Sequence, residues 1–386
     1  MGATSGAASS GSGSGSGLVS GRQSAGRGGL IALGLLLTAL GTATADVAAR
    51  QAANTETVLG IATGLDALRW QDDQDLRAEI ADYARLGARW LRTDLNWDVV
   101  QAAGPDSYDW SSMDRVVALA QEQGLQVLPV VGFTPAWART DPGSYSSPAD
   151  PREFARFLTE AVARYRPLGV RAWEIWNEPN MAGFWPPEPD PAAYARLLRA
   201  AHEAVKRADP SAIVIAGGLA SAPGTDPEPP IDYQGAVAFL EALYDEGAGD
   251  AFDALAFHPY SFPLMPGDEE SWNGWRLMTG PIRELMVERG GAGKPIWITE
   301  YGAPTNLEGG GVSEERQAEM LVEAYRLAED TPWIGPLFWY SYRDLGNDPA
   351  DSEDWFGLVR GPGQEEPKPS YDAFQAMAQE RERLAP

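Results

Sequence analysis

Ala172-Trp-Glu-Ile-Trp-Asn-Glu-Pro-Asn180 is a short run of aromatic and β-branched residues that stops at a Glu followed at once by Pro. Its length and composition suit a buried strand, and Pro179 cannot donate to a sheet ladder, so the strand should end there. Moving outward in both directions, the same kind of run recurs. Candidate strands fall at Val58–Ala62, Trp90–Asp94, Gln126–Gly132, Ala172–Asn177, Ile213–Gly217, Ala254–His258, Ile296–Glu300 and Leu337–Ser341. Between them, apolar residues return at helical spacing, as in Leu76, Ile80, Tyr83 and Leu86, or Phe154, Phe157, Leu158 and Ala161. Eight strands alternating with eight helices imply a parallel sheet with right-handed crossovers, and the spacing predicts a closed (β/α)8 TIM barrel of the α/β class over residues 58–386. An open doubly wound sheet is the alternative. No Gly-x-Gly-x-x-Gly follows the first strand to support it.

Bulk composition narrows the function. The chain has 386 residues, of which 44% are hydrophobic and 22% charged, enough for a real core. Its net charge of −25 should repel nucleic acid and anionic membranes, so neither is an expected partner. There is no Cys, which excludes disulfides and thiolate chemistry, and only two His, which argues against a His-based metal site. No metal or cofactor is therefore expected.

The first 57 residues read differently from the rest. Residues 1–29 are rich in Gly and Ser with no acidic residue, a composition that predicts disorder. Residues 30–45 combine the apolar run Leu30–Leu40 with the small-x-small site Ala43-Thr-Ala45, after a basic stretch containing Arg22 and Arg27. That order predicts a secretory signal, with 46–57 as a linker, an extracellular protein, and no stable membrane insertion after cleavage. The run is shorter than the roughly 20 residues of a membrane span, and attachment through an uncleaved signal anchor is the alternative.

Two strand ends carry a Glu in an apolar setting: Glu178, above, and Glu300 in Pro295-Ile-Trp-Ile-Thr-Glu-Tyr-Gly-Ala-Pro304. Burying an unpaired carboxylate is costly, so a chain that keeps two at strand ends uses or pairs them. Strands four and seven face one another across a barrel mouth, where two carboxyls could flank a glycosidic bond. The long segments after the strands also hold Phe184, Trp185, Tyr233, Phe262, Trp272, Trp275 and Trp355. These rings either stack on sugars or pack loops onto the barrel. Glu174 is expected to share a face with Trp176 and Glu178 and to pair with Arg92 inside the barrel. Asp94, Asn96 and Asp344 are candidates for sugar hydroxyls, and His202 reads as an ordinary helix residue.

The segments Trp176-Asn-Glu-Pro-Asn180 and Ile298-Thr-Glu-Tyr-Gly302 resemble the two active-site signatures of clan A glycoside hydrolases, families 5 and 39 among them. His258-Pro-Tyr260, Phe338-Trp-Tyr340, Tyr108-Asp-Trp110 and Thr134-Pro-Ala-Trp137 are weaker echoes of the same pattern. The resemblance implies a retaining β-glycosidase acting on an oligo- or polysaccharide by double displacement. It implies Glu178 as acid/base, Glu300 as nucleophile, Asn177 at the sugar 2-hydroxyl, and Arg92 near the nucleophile. It also implies His258 and Tyr260 on the nucleophile side and Trp339 as the floor under the reacting sugar. Trp137, in one of the echoes, and Trp185, among the loop aromatics, are expected as further substrate contacts. The chain stops soon after the eighth helix, without room for the β-sandwich common in family 39. It therefore resembles barrel-only members, which tilts the expected substrate from xylosides toward polymers. A glycan-binding pseudoenzyme on the same barrel and a transglycosylase are the alternatives. A Ser-His-Asp hydrolase is disfavoured by the His count and the lack of a Gly-x-Ser-x-Gly motif.

Overall fold

The structure, a computed structural model, describes residues 58–221 and 235–384. The expected leader, signal region and linker, and Tyr233 among the loop aromatics, lie outside the described residues. Strands β1 (Leu59–Ala62), β2 (Trp90–Asn96), β3 (Gln126–Gly132), β4 (Ala172–Asn177), β5 (Ile213–Ala220), β6 (Ala254–His258), β7 (Ile296–Tyr301) and β8 (Ile334–Tyr340) pair in parallel and in chain order. The last closes on the first, with Leu59 opposite Leu337 and Ala62 opposite Tyr340. Closure leaves no free sheet edge, as the TIM-barrel expectation required. The eighth strand starts earlier than the sequence suggests, at Ile334, and stops at Tyr340 rather than Ser341.

The helices begin where local chemistry says they should. Asp150 and Asp190 each accept a hydrogen bond from a backbone N–H of the turn they open, and Pro151 and Pro191 follow them at the first helical position. The caps satisfy donors that the first turn leaves orphaned, and Pro has no N–H to orphan. Asp72 and Ser313 do the same for the helices Asp73–Leu86 and Glu314–Glu329.

Side chains sort into two layers by the two-residue period of the strands. Ala62, Leu128, Ala172, Ile215, Ala254, Ala256, Trp297 and Phe338 fill the barrel interior. The alternate residues, such as Trp173, Ile175, Ile296 and Ile298, join the larger core between sheet and helices. The interior is packed, and among the described residues the cavity opens at the mouth where the strands end. Among the described residues, no helix is long and apolar enough to cross a membrane.

Candidate active site

Two irregularities aim the carboxylates into the mouth. On β4 the alternation breaks at Trp176, whose φ is 72°, and Glu178 has φ 43°. Left-handed backbone at two non-Gly residues costs on the order of 1–3 kcal/mol each and persists where the surroundings enforce it. The break sends the buried Trp176 ring outward onto Trp185, with ring centroids 5.2 Å apart, and its Nε1 donates to the Phe184 carbonyl at 2.6 Å. Trp176 therefore does not share a face with Glu174, contrary to the regular-strand expectation. Beyond the break Asn177 and Glu178 line the mouth. On β7 the pairing with β8 shifts register between Ile298 and Tyr301, so that Thr299 faces inward, Glu300 the cavity and Tyr301 the outer core.

Glycines on β5 make room for this bend. A Cβ at Gly217 would meet the Ile175 and Trp176 carbonyl oxygens at 2.6 and 2.7 Å, and one at Gly218 would meet His258 Nε2 at 2.1 Å. Gly218→Ala should therefore displace the imidazole. We expect a loss of roughly 1–3 kcal/mol from overpacking, read by thermal denaturation, together with reduced turnover. Native stability in this variant would mean that the ring has space to move.

The hydrogen bonds are specific at each carboxylate. Glu300 accepts from Arg92 Nη1 at 2.6 Å on Oε1 and from the Tyr260 hydroxyl at 2.9 Å on Oε2. Arg92 also binds Glu174 through Nε at 2.8 Å and Nη2 at 3.0 Å, and gives Nη2 to Asn177 Oδ1 at 2.8 Å. The expected Arg92–Glu174 pair is thus present and buried, with the same guanidinium reaching Glu300. Burial pushes the Glu300 carboxyl pKa up, but His258, Arg92 and the Tyr260 hydroxyl together outweigh it, and the net shift is downward. Burial, and then the Glu300 charge, raise the Tyr260 phenol well above its ordinary value, so it stays a donor. Glu178 accepts or donates at His258 Nδ1, 2.8 Å from its Oε1. One oxygen of Glu178, one of Glu300 and a ring nitrogen of His258 all lie within 4.8 Å of one another. Those donors are already engaged by one another, by Arg92 and by Tyr260, so the cluster reads as a hydrogen-bonded network rather than a metal's ligand set.

A cavity of about 410 Å³ opens above this network. Of the expected residues, Glu178, Glu300, Asn177, Arg92 and Tyr260 line it, along with Asp94, Phe184 and Phe262. The others need correction. His258 is fully buried and is not part of the cavity lining; its Nδ1 lies between the two carboxylates, 2.8 Å from Glu178 Oε1 and 3.6 Å from Glu300 Oε2. Trp339 is fully buried in the outer core, its ring 5.9 Å from that of Tyr301. The residue from β8 that faces the cavity is its neighbour Tyr340, because adjacent strand residues point to opposite faces. Trp185 is buried between Trp176 and Tyr194, and its neighbour Phe184 takes the cavity position. Trp137 packs edge-on against Trp97 and donates Nε1 to the Gln101 carbonyl at 2.7 Å. Neither Trp185 nor Trp137 reaches the cavity. Asp344 is buried in an ion pair with Lys368 at 2.7 Å, Trp275 packs on Tyr301, and Asn96 is buried outside the cavity lining.

Sequence reasoning passed over Phe133, Tyr145 and Glu353, which also line the cavity. Glu353 accepts from the Tyr340 hydroxyl at 3.0 Å. Burial, with the Glu300 and Glu178 charges, raises its carboxyl pKa despite that bond. It comes from a single 3-10 turn, Ser352–Trp355, in the long segment after β8, too short to show a periodicity. Phe133 has φ 65° just past β3, a feature invisible in sequence.

A barrel whose mouth holds two close carboxylates, a buried Arg and an aromatic rim has the architecture of the clan A glycoside hydrolases. The chain belongs to the cellulase (glycosyl hydrolase family 5) family, whose model matches residues 47–342. It is 30% identical over 290 residues to a β-xylosidase from Geobacillus stearothermophilus, covering 69% of this chain and 55% of that protein. It is 24% identical over 314 residues to a β-xylosidase from Caldicellulosiruptor saccharolyticus, covering 75% and 60%. The chain thus spans a little over half the length of these curated relatives. A family 39 glycoside hydrolase from Bacteroides cellulosilyticus WH2 superposes with a TM-score of 0.65 at 24% identity, covering 84% of this chain and 64% of the other, a likeness of fold.

Proposed function

We propose that the chain is a retaining β-glycosidase that hydrolyses O-glycosidic bonds of an oligo- or polysaccharide, with Glu300 as nucleophile and Glu178 as acid/base. The carrying observation is the approach of the two carboxylates to within 4.8 Å. Retaining enzymes hold their carboxyls roughly 5–5.5 Å apart and inverting ones about 6.5–9.5 Å, to leave room for water. The unequal surroundings support the division of roles. Glu300 faces Arg92 and Tyr260, which hold it ionised for attack on the anomeric carbon. Among the described residues Glu178 pairs with His258 and with no guanidinium, and it is the group that can exchange a proton with the leaving oxygen. Arg92 holds Asn177 by its Oδ1, which leaves the Nδ2 hydrogens for a sugar hydroxyl. Tyr340, Phe184 and Phe262 offer rings to the apolar faces of the sugar.

The test is to incubate the chain and its Glu178→Gln variant with β-linked glucans, mannans, xylans, galactans and bacterial exopolysaccharides, reading products by mass spectrometry. Products with the native chain alone support the reading, and their anomeric configuration reports retention. A folded chain that binds a glycan and cleaves none would favour the pseudoenzyme. On aryl β-glycosides Glu178→Gln should lose roughly 10²–10⁴-fold in kcat/KM, which reports the bond-breaking half, where the leaving group is a poor one. It should lose far less with dinitrophenyl glycosides, whose departure needs no proton. Equal losses on both would remove the acid role from Glu178. We also propose export of the chain, on the basic–apolar–small-residue order of residues 22–45. N-terminal sequencing of the protein recovered from culture medium tests it, and an uncleaved chain retained in cells would refute it.

A further inference from the structure

The buried face of the acid/base carries a proton constraint that its cavity face does not reveal. Glu174 is fully buried and accepts from Arg92 twice, from the Gly218 backbone N–H at 3.1 Å, and from the Thr299 hydroxyl at 3.2 Å. Arg92 and the amide are donors only, so Glu174 is a carboxylate with nothing to donate. The single Thr299 proton is therefore committed to Glu174. Thr299 Oγ1 also lies 3.0 Å from His258 Nε2. With its own proton committed, that oxygen can only accept, and Nε2 must carry a hydrogen. The free choice left to the imidazole is at Nδ1, which faces Glu178 Oε1 at 2.8 Å.

We infer that Thr299 is a positioning residue that locks His258 in its Nε2–H form, so that an ionised Glu178 is matched by an imidazolium whose Nδ1–H occupies Oε1 and leaves Oε2 to exchange protons with substrate. A neutral ring in this lock would turn the Nδ1 lone pair onto the carboxylate, a repulsive contact. Among the described residues the ring meets Glu178 just past β4, Gly218 from β5, Thr299 and Glu300 from β7 and Tyr260 from the loop after β6, with Glu174 on β4 reached through Thr299 and the Arg92 charge on β2 acting on it. Burial works against the imidazolium, while the Glu300 and Glu178 charges outweigh it, and the net shift of the His258 pKa is upward. This lock rests on the Glu178 acid/base reading for its catalytic meaning, though not for its geometry. In the bond-breaking half, the proton on Oε2 moves to the glycosidic oxygen as the bond from that oxygen to the anomeric carbon breaks, the leaving group departs as an alcohol, and the Glu300 carboxylate bonds to the anomeric carbon. In the second half, water gives a proton to Oε2 as its oxygen displaces Glu300. The His258 proton count does not change in either half.

The chain has only two His, so its imidazoles can be observed one at a time. In ¹⁵N-histidine NMR of the full chain, His202→Asn identifies the His258 signals. We expect Nε2 to stay protonated throughout the folded pH range, with Nδ1 keeping its proton above the ordinary value near 6.5. In Thr299→Val the ring is free to adopt the Nδ1–H form, and its titration should move downward, whereas Thr299→Ser should retain the native pattern. On aryl β-glycosides with poor leaving groups, Thr299→Val should lose roughly 10- to 100-fold in kcat/KM, with a displaced pH profile and little loss of kcat/KM on dinitrophenyl glycosides. A native His258 that is neutral with its proton on Nδ1, or a Thr299→Val spectrum like the native one, would overturn the lock. Should Thr299→Val fail to fold, the native and Thr299→Ser spectra decide alone. A native lock in a chain that cleaves no glycoside would count against the glycosidase reading and leave the lock standing.

Discussion

Glu300→Gln is expected to lower turnover by roughly 10⁴–10⁶-fold, the scale on which loss of a nucleophile is felt when its partners act as a unit. The amide keeps the volume of the carboxylate and can still accept from Arg92, so the fold should survive. What disappears is the negative charge that, in the proposed mechanism, bonds to the anomeric carbon. The measurement is kcat and KM on any aryl β-glycoside the native chain cleaves, alongside circular dichroism. A 2-deoxy-2-fluoro β-glycoside should also label Glu300 in the native chain, read by peptide mass. A loss under tenfold, or a label on another residue, would refute the assignment. The same charge sets an acid limit. The Glu300 pKa is lowered in the folded state, so its contribution to stability is present above the unfolded value near 4.5 and is lost as pH falls through the lowered folded value. The acid limb of kcat/KM should accordingly lie below the ordinary Glu range, provided no other group titrates first.

Arg92→Met should be the most destabilising single change at the site. The guanidinium is 5% exposed and neutralises two buried carboxylates, Glu174 at 2.8 Å and Glu300 at 2.6 Å. Burial works to lower its pKa, but both charges outweigh it and the net shift is upward, so it stays cationic. Removing one partner of a buried pair leaves charge uncompensated, at a cost of about 3–5 kcal/mol, or a fall in Tm on the order of 10 °C. Activity should fall with it, because Asn177 and Glu300 lose the group that orients them. Lys in its place has one point charge and cannot span three acceptors in a planar fork. Thermal denaturation of Arg92→Met and of the double variant Arg92→Met/Glu174→Leu checks the argument. The double variant should regain part of the lost stability by removing one stranded carboxylate. Equal stability of Arg92→Met and the native chain would mean that the pair is solvated.

Much of this architecture is legible in the chain itself. Each strand of the barrel announces itself as a short apolar run, because burial of a strand on both faces demands one. Helix starts are legible from Asp150-Pro151 and Asp190-Pro191, since capping is a matter of neighbours. Glu178 and Glu300 stand out because a carboxylate at the end of an apolar strand needs a reason to be there, and the Arg92–Glu174 pair follows from charge placed inside a barrel.

The remainder depended on contacts between segments far apart in sequence. Trp339 and Tyr340 are equally plausible as a sugar floor in sequence, and a register difference of one residue decides between them. Trp185 and Phe184 divide in the same way, according to which ring the bend at Trp176 draws into the core. Periodicity assumes regular backbone, so it misplaced Trp176, where a positive φ breaks the alternation. Glu353 reaches the cavity from a segment whose path is set only by what it packs against. The position of His258 between the two carboxylates, and the proton constraint imposed through Thr299, arise from β4, β5, β6 and β7 meeting around one ring. The sequence by itself thus determined the barrel, its order of strands and the pair of carboxylates, because those follow from local period and the cost of burying charge. The tertiary structure alone decided which aromatic rings line the cavity and what holds each carboxylate, because those depend on directions that only packing sets.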